Sequence, residues 1–125
     1  MGAGSEFRVI AIVDDDKSVQ TSLQDLIEAD GLTAKCFVSA EGFLKSGLQH
    51  TAGCLIADIR MAGMSGLELQ ARLKAQNSRI PIIFMTAHGD AKMRMQAMQE
   101  GAVEFLTKPF DDKVMLETIR AALNL

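Results

Sequence analysis

The 125-residue sequence contains no tryptophan and no tyrosine, and only two prolines and two cysteines. Without Trp or Tyr, its core has to be assembled from aliphatic residues, six phenylalanines and eight methionines. No apolar run approaches the roughly 18 residues of a membrane span, and no segment reads as a secretory signal; a cytoplasmic protein is expected, with no membrane partner. Lys and Arg number 13 against 16 Asp and Glu, for a net charge of −3. No basic block is present, so the electrostatic footprint of a nucleic-acid binder is missing. Cys36 and Cys54 stand alone beside apolar residues, outside any metal-ligand spacing. They are expected to be reduced, buried thiols.

What is there suffices for one domain with one core. The opening Met1-Gly2-Ala3-Gly4-Ser5-Glu6-Phe7 reads as an expression-vector remnant, leaving 8–124 as the domain. Short apolar runs at Val9–Val13, Thr33–Val38, Cys54–Ala57, Ile82–Met85 and Val103–Leu106 predict strands. The first, third and fourth are nearly continuous hydrophobics, as in parallel strands covered on both faces. Between and after them the period changes. Val19, Leu23, Leu26 and Ile27 share a helical face, as do Ala40, Phe43, Leu44 and Leu48, and Met115, Ile119, Ala122 and Leu123. Ser65 and Glu68 form a Ser-x-x-Glu capping box. Gly31 and Gly101 suit left-handed positions after helices, and Asp90 and Asp111 or Asp112 suit N-caps. Repeated strand-then-helix units predict an α/β fold with an open, doubly wound parallel sheet. In such sheets the ligand site lies outside the carboxyl ends of the strands.

Those ends carry the chemistry. Strand one runs into Asp14-Asp15-Asp16, strand three into Asp58, strand four into Thr86 and strand five into Lys108-Pro109. Crowded carboxylates resist ionisation unless a cation sits among them. Asp14, Asp15 and Asp58 against Lys108 leave a net charge of about −2, which a hard divalent cation balances; Mg²⁺ (or Mn²⁺) suits carboxylates. A carboxylate such as Asp58 can act as a nucleophile and carry a phosphoryl group. Phosphoryl transfer asks mainly for positioning and charge neutralisation, with the cation, Lys108 and Thr86 each taking one oxygen. Asp16 reads as a bystander at the start of a helix.

The segments Ile12-Val13-Asp14-Asp15-Asp16, Asp58 to Gly66, Met85 to Asp90 and Gly101 to Phe110 resemble the receiver domain of bacterial two-component response regulators. The likeness covers about residues 8–124 and is greatest to the FixJ branch. It implies a five-stranded sheet in the flavodoxin-like order 2-1-3-4-5 with five helices. It implies Asp58 as phosphoacceptor, Asp15 as a direct Mg²⁺ ligand, Asp14 acting through water, and the Arg60 backbone carbonyl as a further ligand. Thr86 and Lys108 would hold phosphoryl oxygens, Phe105 would be the aromatic switch and the Lys108–Pro109 peptide would be cis. The implied partner is a sensor histidine kinase, with phosphorylation-dependent homodimerisation through the fourth helix, fifth strand and fifth helix. The implied output is transcription, through a C-terminal DNA-binding domain that this chain lacks. Such a domain catalyses only its own phosphorylation and dephosphorylation.

The chain departs from the family pattern at Ala62, where proline is usual; its loss costs about 0.4–1 kcal/mol, largely through the unfolded state. Phe105, in place of the also common Tyr, has no phenol to hydrogen-bond. His88 reads as an inert loop histidine two residues after Thr86. Met93 and Met98 share a helical face with Ala97 and are expected in the core, with Met95 off it. Two other readings compete: an unphosphorylated pseudo-receiver or interaction module, and an Mg²⁺-dependent phosphatase using Asp14-x-Asp16, which leaves Asp58 without a role.

Overall fold

The computed structural model describes residues 9–87 and 91–125. The reading of Met1 to Phe7 and those of His88 and Asp90 lie outside the described residues. Five strands form a single parallel sheet in the order 2-1-3-4-5: β1 (Val9–Val13), β2 (Thr33–Phe37), β3 (Cys54–Asp58), β4 (Ile82–Thr86) and β5 (Glu104–Thr107). Five helices connect and follow them: α1 (Lys17–Ala29), α2 (Ala40–Ser46), α3 (Gly66–Ala75), α4 (Ala91–Gln99) and α5 (Asp112–Ala122). This is the architecture the sequence predicts.

Alternation along the strands divides the core in two. Ile10, Ile12, Cys54, Ile56, Ile83 and Met85 pack with Leu23 and Ile27 of α1 and Met115 and Ile119 of α5. The intervening Ala11, Val13, Leu55, Ala57 and Phe84 face the other way, onto Phe43 of α2, Leu69 and Leu73 of α3 and Ala97 of α4. A strand covered on both faces gains from apolar residues at every position, which is why β1, β3 and β4 read as continuous hydrophobic runs.

Local signals fix the boundaries. Ser65 and Glu68 make the reciprocal capping box of α3. Asp111 rather than Asp112 caps α5, accepting from the Lys113 and Val114 amides. Gly31 and Gly101 adopt positive φ just past α1 and α4. Some expectations need correction. Leu48 does not continue α2: Gly47 turns left-handed at φ 80°, and Leu48–His50 form a separate 3₁₀ turn. Strand three and strand four each run one residue further, taking in Asp58 and Thr86, and β5 is shifted one residue onward. Strand two stops at Phe37, and Val38 is exposed. Met98 is exposed with Met95, whereas Met93 packs on the core; the short α4 buries one narrow stripe, and Ala97 fills it. Cys54 is buried, but Cys36 is only half-buried on the edge strand.

Candidate functional site

The strand order reverses between β1 and β3: β2 lies outside β1, and β4 and β5 lie outside β3. Their register places Val13 opposite Ala57 and Asp58 opposite Met85. Asp14, Asp58, Thr86 and Lys108 therefore emerge together at the carboxyl edge, across the switch point where doubly wound sheets bind ligands.

Asp14 is fully buried and all its polar groups are engaged. Its N–H donates to the Phe37 carbonyl at 3.1 Å, and its carbonyl accepts from Gln20 Nε2 at 2.6 Å. Its carboxylate accepts from the Asp16 N–H at 2.8 Å and from Lys108 Nζ at 2.8 Å. Burial pushes the Asp14 carboxyl above the ordinary carboxylate value, and the bonds from Lys108 and Asp16 only partly offset this. Asp58 accepts from Lys108 Nζ at 2.9 Å on one oxygen and from the Arg60 N–H at 3.0 Å on the other. Lys108 thus bridges two carboxylates. Burial alone would lower its pKa, but the bonds to Asp14 and Asp58 prevail and hold it above the usual lysine value. Both partners shift upward: burial outweighs the bonds at Asp14, whereas at Lys108 the two carboxylates together outweigh burial.

Asp15 is exposed at the rim, and carboxylate oxygens of Asp14, Asp15 and Asp58 all lie within 4.8 Å of one another. Two oxygens on one Mg²⁺ stand about 3–4 Å apart for ligand distances near 2.0–2.1 Å. The cluster is thus near the size one ion requires, with hard oxygen donors and one cation against three carboxylates. The donor set fits Mg²⁺ or a similar hard divalent cation; Asp14, Asp15 and Asp58 would hold it.

The other predicted residues fall around this cluster. Thr86 ends β4, fully buried, and its carbonyl accepts from the Lys108 N–H at 2.7 Å, tying the β5 end to β4. The Lys108–Pro109 peptide is cis. Phe105 is buried, with its ring centroid 6.4 Å from that of Phe84; the ring is already inside. Arg60 reaches the site through its N–H. Ala62 is exposed in the β3–α3 loop. Asp16 caps α1 by accepting from the Ser18 N–H and hydroxyl. Gln20 escaped the sequence reading, although its spacing to Leu23 and Ile27 sets it on the buried stripe of α1.

The response regulator receiver domain model matches residues 10–120, and the chain belongs to that family. It is 48% identical over 117 residues to the response regulator protein TodT of Pseudomonas putida, an alignment spanning 94% of this chain and 52% of TodT. It is 42% identical over 115 residues to the transcriptional regulatory protein FixJ of Azorhizobium caulinodans, covering 92% of this chain and 54% of FixJ. The chain spans about half the length of these curated relatives. Among solved structures, FixJ-N matches with a TM-score of 0.85 at 40% identity, over 93% of both chains. The response regulator StyR matches with a TM-score of 0.87 at 44% identity, over 93% of this chain and 59% of that one. No helix among the described residues is long and apolar enough to cross a membrane.

Proposed function

We propose that this receiver domain accepts a phosphoryl group on Asp58 from a sensor histidine kinase and passes the change to a transcriptional output. A carboxylate oxygen of Asp58 attacks phosphorus, the phosphorus–nitrogen bond of the kinase phosphohistidine breaks, and the imidazole leaves with the bond's electron pair. The observation that carries this reading is the convergence of Asp58, Asp14, Asp15 and Lys108 from three strand ends onto one point. A bound divalent cation would neutralise charge on the phosphoryl oxygens. Lys108, already 2.9 Å from Asp58, supplies a second positive charge to them, and Thr86 an adjacent hydroxyl. The Arg60 N–H fixes the carboxylate plane of Asp58 so that its orientation survives in the reacting complex.

The switch follows from what Lys108 and Thr86 leave behind. A phosphoryl group on Asp58 competes for the ammonium now shared with Asp14 and draws Thr86, at the end of β4, toward itself. Phe105 begins inside, against Phe84, so rearrangement at this ring starts from the inward position. The surface of α4, β5 and α5 then alters, and a second copy or the output reads it. Names such as transcriptional regulatory protein among the relatives support a transcriptional output. In this reading the domain turns over no substrate apart from its own phosphoryl group.

Amide NMR spectra with Mg²⁺ and beryllofluoride, a phosphoryl mimic, test the switch. Shifts at Asp58 and Thr86 extending through α4, all absent in Asp58→Asn, are expected. Identical α4 spectra with and without beryllofluoride contradict it.

A further inference from the structure

Asp15 would supply a carboxylate to the cation, yet it is exposed and has no hydrogen-bonded side-chain partner among the described residues. Its direction is therefore inherited from the backbone, and a buried side chain holds that backbone. Gln20 lies in the first turns of α1 and is only 7% exposed, although its amide is polar. Nε2 donates to the Asp14 carbonyl at 2.6 Å and lies 3.4 Å from the Phe37 carbonyl. The Asp14 carbonyl belongs to the peptide plane that joins Asp14 to Asp15. Phe37 is the β2 residue paired with Val13 at the end of β1, and its carbonyl also receives the Asp14 N–H. One side-chain amide thus closes the β1–β2 ladder and fixes the plane from which Asp15 projects.

We infer that Gln20 is a positioning residue for the acidic metal pair, holding the Asp14–Asp15 peptide so that both carboxylates meet Asp58 at one point. Because a planar peptide has no soft torsion of its own, anchoring the Asp14 carbonyl leaves few backbone torsions to aim Asp15. The amide does this as a neutral donor, adding no positive charge to a site that must attract a cation. The inference rests on the metal-binding reading of the acidic cluster.

The test is Mg²⁺ affinity by calorimetry, measured with thermal stability, on wild type, Gln20→Met and Gln20→Asn. Met keeps the bulk and loses the donor; Asn keeps the amide and loses the reach. Both are expected to raise the Mg²⁺ Kd about tenfold, as loss of groups that orient metal ligands does. Phosphorylation by acetyl phosphate should recover at saturating Mg²⁺, because Asp58 and Lys108 are untouched. A residue that only braces the fold would lower Tm and leave the Kd unchanged, and that outcome in either folded variant overturns the inference while the metal reading stands. Absence of Mg²⁺ binding in wild type overturns both.

Discussion

Lys108 Nζ stands 2.9 Å from Asp58 Oδ2, a contact between two strand ends separated by 50 positions in the chain. The same ammonium reaches Asp14 at 2.8 Å. One cation thus offsets the repulsion between two buried carboxylates, and it is poised beside the residue proposed to carry the phosphoryl group.

Removing that cation should be costly. Lys108→Ala leaves Asp14 buried without a counter-charge, and a loss on the order of 2 kcal/mol is expected at pH 7, below the range for fully enclosed pairs because the site opens to solvent. The pH dependence has two parts. Lys108 is held above its ordinary value of 10.5, so its contribution is present below that pH and disappears as pH rises through the raised value. Asp14 is raised above 3.8, so its ionisation costs stability, and the cost is relieved as pH falls through the raised value. Urea unfolding should therefore show the variant's deficit shrinking at both extremes. A deficit that does not change with pH would rule this out.

A divalent cation among Asp14, Asp15 and Asp58 should stabilise the fold by linkage. At ten times its Kd, Mg²⁺ adds about 1.4 kcal/mol, seen as a rise in Tm. Asp15→Asn should remove most of that rise while leaving the metal-free protein folded, since Asp15 is exposed. An equal rise in wild type and Asp15→Asn would place the cation elsewhere.

Gly66 packs directly against the backbone of Asp58 and Ile59. A Cβ there would lie 2.8 Å from Ile59 Cα and 2.9 Å from the Asp58 carbonyl oxygen, with Phe84 also at 3.0 Å. Backbone atoms cannot step aside as a flexible side chain can. Gly66→Ala should destabilise by about 1–3 kcal/mol and displace Asp58, slowing phosphorylation as well. Gly66→Ala with wild-type stability and wild-type phosphorylation would show that the approach is not tight.

The two thiols should differ in reactivity. Burial pushes Cys54 up to about 12, leaving almost no thiolate at pH 8. Cys36 is also raised by burial, but is half-buried. Iodoacetamide on the native protein should add one slow label, at Cys36, with Cys54 reacting only after unfolding. Two labels at equal rates in the native state would contradict the packing of β3.

The sheet was legible because strands covered on both faces leave no room for polar residues until they end, so Asp14, Asp58 and Thr86 punctuate the runs. The site was legible for the same reason: parallel strands gather their carboxyl ends at one edge. Harder to read were features set by tertiary geometry. Gln20 looks like any polar helix residue until α1 is seen to press it against the ends of β1 and β2. Met98 follows the apolar period of α4, but that helix is too short and too shallowly seated to bury it. Leu48 continues the α2 period, but Gly47 breaks the backbone beneath it. The inward packing of Phe105 depends on Phe84 of the neighbouring strand, and no local pattern records it.

The central claim is that Asp58 receives a phosphoryl group with the help of a divalent cation. Intact-mass spectrometry after incubation with acetyl phosphate tests it most directly, on wild type with Mg²⁺, wild type with a chelator, and Asp58→Asn with Mg²⁺. One added phosphoryl group in the first sample and none in the other two is the predicted result. An unmodified wild-type chain in the presence of Mg²⁺, or an equal adduct on Asp58→Asn, would contradict the account.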